Sequence, residues 1–316
     1  MILDEFGVPV WYREPADAQI GVWPGPDGNL VLRRWTGGGF PGGAGTPETP
    51  PLGFEVRGLD GSLVSTIGPA VDGPYAGVPL DWHELLELPS GNRLAVVYPL
   101  RNTGVSRTCT TPTNATVSTT QVADSVLVEL DPTGHQVWAW DSKNHVDIAA
   151  ETKHAICFRV ATTSNPNVDW ALDYQHINSV DRFANGDYLI SARHADAIYA
   201  IHRGADDAAS KVLWKIGGAA PKASEGAVDL TVLDVSGQPG GTGSSPVAPH
   251  DARITPTGSI TVHDNHLGEP PRAMEYRMDT TAGTAHLVWS LVSENLAGGT
   301  LGSVRRQADG TTVVAG

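Results

Sequence analysis

His176-Ile177-Asn178-Ser179-Val180 leads into Ala184-Asn185-Gly186-Asp187 and returns as Tyr188-Leu189-Ile190-Ser191-Ala192-Arg193. Two short apolar and β-branched runs separated by Asn-Gly read as two antiparallel strands joined by a tight turn. The unit recurs. It appears at Gly21 to Trp35 around Pro26-Asp27-Gly28-Asn29, at His83 to Leu100 around Pro89-Ser90-Gly91-Asn92, at His250 to Asn265 around Pro256-Thr257-Gly258-Ser259, and at Gly302 to Gly316 around Ala308-Asp309-Gly310-Thr311. Between these units lies a second kind of hairpin: Phe54 to Ile67, Ser125 to Trp140, Ala197 to Ile216 and Arg272 to Leu291. Several of the second kind carry Val-Trp or Leu-Trp in their last strand. Pairing one hairpin of each kind makes a four-stranded sheet, and its repetition predicts an all-β fold, a β-propeller.

The whole chain, 1–316, is expected to be one propeller domain with five countable blades and insertions at about 36–52, 141–173 and 219–248. It begins with half a blade, Met1 to Tyr12, and ends with the first half of another. Those halves close a ring of five, or the chain is cut from a longer, six-bladed one. The repeated Trp140, Trp214 and Trp289 belong to outer strands and are expected to pack between blades.

Composition agrees with many strands and turns: 36 Gly, 23 Pro and only 18% charged residues. A net charge of -14 argues against nucleic acid and against an anionic membrane surface, since both are bound by clustered Lys and Arg. No apolar run reaches the length of a membrane span, so no membrane insertion is expected. Acidic residues occupy the N-terminus where a secretory signal would carry a basic region, so no signal peptide is expected in this chain. Cys109 and Cys157 permit one disulfide, which their spacing cannot establish.

In a propeller the first strand of each blade lines the central channel, and all first strands run the same way. His83, His176 and His250 stand at the starts of three such strands, so the repeat brings them to one mouth of the channel. A two-residue loop at Asn185-Gly186 sets Asn178 opposite Arg193. The same construction sets His83 opposite Tyr98 and His250 opposite Asn265. The expected cluster is three imidazoles, a guanidinium, two amides and a phenol, with no carboxylate on its face. Many donors around one point suit a tetrahedral oxyanion, and a neutral imidazole is a nucleophile. Transfer of a sulfuryl or phosphoryl group uses all these parts. Isolated histidines such as His135 and His202 are read as structural or solvated.

The stretches His176 to Val180, Asn185 to Arg193, Leu213-Trp214-Lys215-Ile216-Gly217-Gly218, His250-Asp251-Ala252-Arg253 and His263-Asp264-Asn265 resemble the bacterial aryl-sulfate sulfotransferases. The resemblance runs from about Gly21 to Gly316. It implies a six-bladed propeller that moves a sulfuryl group from a phenolic sulfate to another phenol by a ping-pong mechanism. It further implies no nucleotide donor, no other cofactor and no metal, phenols and aryl sulfates as partners, and a secreted or periplasmic location. On that resemblance His250 attacks sulfur and is transiently sulfated, and His176, Asn178 and Arg193 hold the sulfuryl oxygens. His83 is an acid/base or a further oxygen ligand; the hairpin register, not the resemblance, adds Tyr98 and Asn265 as substrate contacts. Two other classes compete: a metal-dependent lyase or lactonase with His83, His176 and His250 as ligands, and a propeller that only binds a partner.

Overall fold

Within the first hairpins every turn is set by a glycine held at positive φ, and that geometry governs which strand residues face each other. The computed structural model describes residues 2–3, 9–11, 19–25, 28–34, 53–162, 165–218, 225–239, 243–292 and 300–315. In the third blade Phe183 and Asp187 close the turn: Phe183 N donates to Asp187 O, and Gly186 N donates to Phe183 O. Ala184, Asn185 and Gly186 are therefore the loop, with Gly186 at φ 97°. Leu88 to Asn92 and Thr255 to Ser259 repeat these bonds. This is a three-residue hairpin with a left-handed glycine, not the two-residue loop expected from Asn-Gly. The difference moves the register by one residue.

Four antiparallel meanders of four strands follow one another. The first blade is Gln19–Pro24, Leu30–Arg34, Phe54–Arg57 and Leu63–Ile67. The second is Leu80–Glu87, Arg93–Val97, Val126–Leu130 and Gln136–Asp141. The third is Ile177–Arg182, Tyr188–Ala192, Ala197–His202 and Lys211–Gly217. The fourth is Pro249–Ile254, Ile260–Asp264, Arg272–Asp279 and Thr284–Val292. Two-stranded sheets lie at the ends, Ile2–Leu3 with Pro9–Trp11 and Ser303–Arg306 with Thr312–Ala315. The first strands of successive blades pack on one another, from the first blade through the fourth and on to Ser303–Arg306. That is the arrangement of a β-propeller, with first strands innermost.

Both faces of an inner blade are covered by neighbours, so its second strand is buried throughout rather than alternating between buried and exposed. Tyr188–Ala192 is buried at every position. Tyr188 and Ile190 join the core with Leu94, Val96, Trp138 and Trp140 of the second blade, whereas Leu189 turns to Trp214, Ile260, Val262 and Tyr276. Period-two alternation thus feeds two cores from one strand. Trp140 is buried and Trp214 packs edge-on to Phe183 at 6.2 Å between ring centroids.

The insertions have structure of their own. The expected one at 141–173 contains two single-turn helices, Ser142–His145 and Ile148–Glu151, and a hairpin, Ile156–Thr162 with Asn165–Asp173. A second hairpin, Leu100–Thr110 with Thr116–Ala123, interrupts the second blade between its second and third strands. The two hairpins close into a four-stranded barrel. Cys109 and Cys157 form a disulfide across it, with Cα atoms 5.6 Å apart. Within 219–248, Val228–Leu233 runs parallel to the last strands of both the third and fourth blades and joins them in one nine-stranded sheet. The expected insertion at 36–52 lies outside the described residues. No helix among the described residues is long and apolar enough to cross a membrane.

Candidate active site

Each complete blade has an irregularity where its first strand begins. Register shifts fall between Ile20 and Val22, Leu80 and Leu85, Ile177 and Ser179, and His250 and Arg253. Bulges of this kind bend a strand and redirect side chains. Main-chain torsions show the effect: His176 has φ 55°, Ala248 49° and Asp251 58°. Left-handed backbone costs a residue with a side chain about 1 kcal/mol or more, so the surrounding packing must hold it there.

The result is convergence. The rings of His83 and His176 are 5.0 Å apart between centroids, edge to face, and those of His83 and His250 are 6.1 Å apart. Arg193 opens a 3-10 turn, Arg193–Ala195, and its main-chain N–H donates to His176 O at 3.0 Å. It is buried, and its charge acts on both His176 and His250. Asn265 donates to the Ala248 carbonyl at 2.8 Å, and its amide nitrogen is 2.8 Å from His250 Nδ1. His250 Nε2 is buried and has no hydrogen-bond partner among the described residues.

The register corrections concern pairing, not proximity. His250 faces His263 across the hairpin rather than Asn265, and Asn178 falls in the bulge between the Ile177–Ala192 and Ser179–Ser191 pairs rather than opposite Arg193. Arg193 is beyond the strand, and His83 lies in the irregular stretch between the Leu80–Val97 and Leu85–Ala95 pairs. The three-residue turn and the bulge each shift the count. Asn178 bridges two blades: its amide donates to Pro249 O at 2.8 Å, and its oxygen accepts from Ser191 Oγ and from Asp251 N. It fixes the main chain on both sides of His250. Tyr98 donates its hydroxyl to Ile177 O at 2.6 Å, with its ring 6.3 Å from that of His176.

Carboxylates are present, contrary to the sequence expectation. Asp81 Oδ1 lies 2.7 Å from His83 Nδ1, and Asp173 Oδ2 lies 2.5 Å from His176 Nδ1. His194 stacks on His176 at 4.6 Å and has Nδ1 2.6 Å from the Asp173 carbonyl oxygen. These three residues escaped the sequence reading, although Asp-x-His at Asp81 to His83 and Asp-x-x-His at Asp173 to His176 were visible as short spacings. Asp173, His176 and His194 also bring ligand-type atoms within 4.8 Å of one another. His176 Nδ1 and Asp173 Oδ2 stand in hydrogen-bond contact. Two ligands of one zinc ion stand roughly 3 Å or more apart, given bonds of about 2 Å in a tetrahedron.

Below the imidazoles a lattice of ions ties the first strands together. Arg253 reaches Glu84 of the second blade, Asp251 at 2.8 Å and the Val180 carbonyl of the third, while Arg305 pairs with Asp251. Electrostatics above it favour uncharged rings. Burial, then the charges of His83, His176 and Arg193, holds the His250 pKa well below the ordinary histidine range. Burial, His83 and Arg193 do the same to His176, and burial takes His194 down to about 3. Burial raises Asp173 to about 6, against the pull of His194. Asp81 is buried too, yet the charge and hydrogen bond of His83 outweigh burial and leave its pKa lowered. A neutral imidazole with an unpartnered nitrogen, beside a buried guanidinium and two carboxylate-backed imidazoles, has the parts for nucleophilic group transfer with proton transfer.

Comparison with known proteins gives one family match. The family model "Arylsulfotransferase (ASST)" matches residues 80–315, which include every site residue named above. No curated protein matches the chain. Among solved structures, a protein of unknown function from Bacteroides caccae aligns with TM-score 0.44 and 13% identity, over 96% of this chain and 73% of its own. A catalytically inactive virginiamycin B lyase from Staphylococcus aureus, solved with quinupristin, aligns with TM-score 0.38 and 9% identity, over 94% and 69%. A streptogramin B lyase aligns with TM-score 0.32 and 10% identity, over 96% and 92%.

Proposed function

The chain belongs to the arylsulfotransferase family, and from that premise we propose that it carries a sulfuryl group from a phenolic sulfate ester to a phenol through a sulfated His250, with no nucleotide donor. In the first half-reaction His250 carries its ring proton on Nδ1, where the Asn265 side chain turns to accept it through its amide oxygen, and the lone pair this leaves on Nε2 forms a bond to sulfur while the bond from sulfur to the aryl oxygen breaks. In the second, an acceptor phenol oxygen attacks sulfur and the N–S bond breaks, returning the electron pair to Nε2. Arg193 holds sulfuryl oxygens through the charge that grows on them in the transition state. Asn265 steadies the His250 ring from the Nδ1 side, and Asn178 steadies the main chain that presents it.

One observation carries this assignment of the nucleophile. Buried polar nitrogens are almost always paired, yet His250 Nε2 is not, and it lies in the cluster formed with His83. A nitrogen that must form a bond to sulfur has to be available before substrate arrives. The disulfide supports an exported, oxidising location, because such bridges persist outside the cytosol.

Intact-protein mass after brief exposure to 4-nitrophenyl sulfate tests the reading. The expected result is a sulfuryl adduct on the parent protein that disappears when phenol is added and never forms on His250→Asn. Full transfer activity in folded His250→Asn refutes the nucleophile.

A further inference from the structure

The nitrogens at Nδ1 divide the three imidazoles into two kinds. His250 has a neutral amide there, whereas His83 and His176 each have a buried carboxylate. Among the described residues, neither carboxylate is fully satisfied: Asp81 Oδ2 and Asp173 Oδ1 are buried with no hydrogen-bond partner. A carboxylate short of donors in a dry site attracts a proton or a cation strongly. At Asp173 the proton within reach is the one on His176 Nδ1.

We propose that Asp173 is a positioning residue that holds His176 with its proton on Nδ1, so that Nε2 of His176 is the proton carrier for both half-reactions. The proposal rests on the sulfuryl-transfer reading above. With Nδ1 committed to Asp173, chemistry at His176 runs through Nε2. In the donor half-reaction the protonated Nε2 gives its proton to the departing aryl oxygen as the bond from sulfur to that oxygen breaks. In the acceptor half-reaction neutral Nε2 takes the phenol proton as the new bond from oxygen to sulfur forms and the N–S bond of His250 breaks. One proton leaves His176 and one returns in each cycle, so the balance closes.

The surroundings fit a proton carrier. Burial, His83 and Arg193 disfavour the imidazolium and Asp81 favours it, while the Asp173 carboxylate stands against Nδ1. A bound sulfate ester adds a negative charge and tips the same balance toward protonation when the donor is present. His194 covers the pair: it stacks on His176 and gives its own Nδ1 proton to the Asp173 carbonyl, staying 3.7 Å from the Asp173 carboxylate oxygen that His176 meets at 2.5 Å. Asp173 is also the last residue of its strand, paired with Ala123 and Ile156 of the barrel, which locks the carboxylate in place. A carboxylate that fixes an imidazole tautomer in this way can be worth as much as about 10⁴ in rate.

The test uses the whole chain. In long-range proton–nitrogen NMR of histidine-labelled protein, with His176→Asn assigning the resonance, His176 is expected as the Nδ1–H tautomer. Finding the proton on Nε2 instead overturns the proposal and needs no variant. In kinetics, Asp173→Asn is expected to slow turnover of unactivated phenyl sulfates roughly 100-fold or more, and of 4-nitrophenyl sulfate less than about tenfold, since 4-nitrophenolate departs without a proton. Asp173→Glu is expected to recover part of the loss. An equal loss for every leaving group, as a merely structural role gives, overturns it. If the parent turns over no aryl sulfate, the sulfuryl-transfer reading fails separately; the His176 shifts of Asp173→Asn then decide, and shifts unchanged from the parent overturn the proposal.

Discussion

At the scale of the residue, the sharpest test beyond His250 is Arg193. Its guanidinium is buried, and burial lowers its pKa against the pull of Asp173 and Asp196. A charge kept in such a place is there to meet another charge. Arg193→Ala is expected to cut kcat/KM by roughly 10²- to 10³-fold, mainly through kcat, with Arg193→Lys recovering little because a point charge does not reproduce the planar fork. Steady-state kinetics with a fixed donor check it; a change confined to KM would mean binding of the ground state only. His83, His176 and His250 were legible because one repeat generates all three. Asp81 and Asp173 were not, for a physical reason. Asp81 lies in the register-shifted stretch of its strand and Asp173 at the end of an insertion, so no rule of alternation places their side chains. Away from the site, His135 pairs with Asp72 and is exposed, and His202 pairs with Asp187 and is partly exposed.

At the scale of the element, strands were far easier to read than their alignment. Apolar runs and turn glycines located the hairpins, but Asn-Gly suggested a two-residue loop where Ala184-Asn185-Gly186 forms three. Each bulge then moved the count again, because register depends on every residue between turn and site. The short helix Ser142–His145 gives a separate prediction. His145 Nδ1 is 2.7 Å from Glu225 and Nε2 is 3.0 Å from Asp207, and its ring stacks on Trp140 at 5.1 Å. Burial lowers its pKa, but the two carboxylates overcome burial and raise it to about 9. Because the folded value is above the unfolded one, this stabilisation is complete below pH ~6.5 and is lost as pH rises through about 9. Its size is about 3 kcal/mol. Denaturant titrations at pH 6 and pH 10 are expected to differ in the parent and much less in His145→Gln; an equal difference in both would assign the effect elsewhere.

At the scale of the molecule, the starts of the first strands in three successive blades supply the histidines of one site. The barrel beside it is stapled by Cys109–Cys157 across a sequence separation of 48. A loop of that size is expected to contribute about 4 kcal/mol through the unfolded state. Reduction in denaturant, or Cys109→Ser with Cys157→Ser, is therefore expected to lower the melting temperature by several degrees, as calorimetry reads directly; an unchanged transition would place the barrel outside the cooperative unit. The same bridge has a topological consequence. Val126–Leu130 and Gln136–Asp141, the outer half of the second blade, lie inside the covalent loop. Tension applied at the chain ends therefore bypasses that half-blade through a sulfur-to-sulfur shortcut. Even a fully stretched chain withholds roughly 160 Å of its contour length until the bridge is reduced.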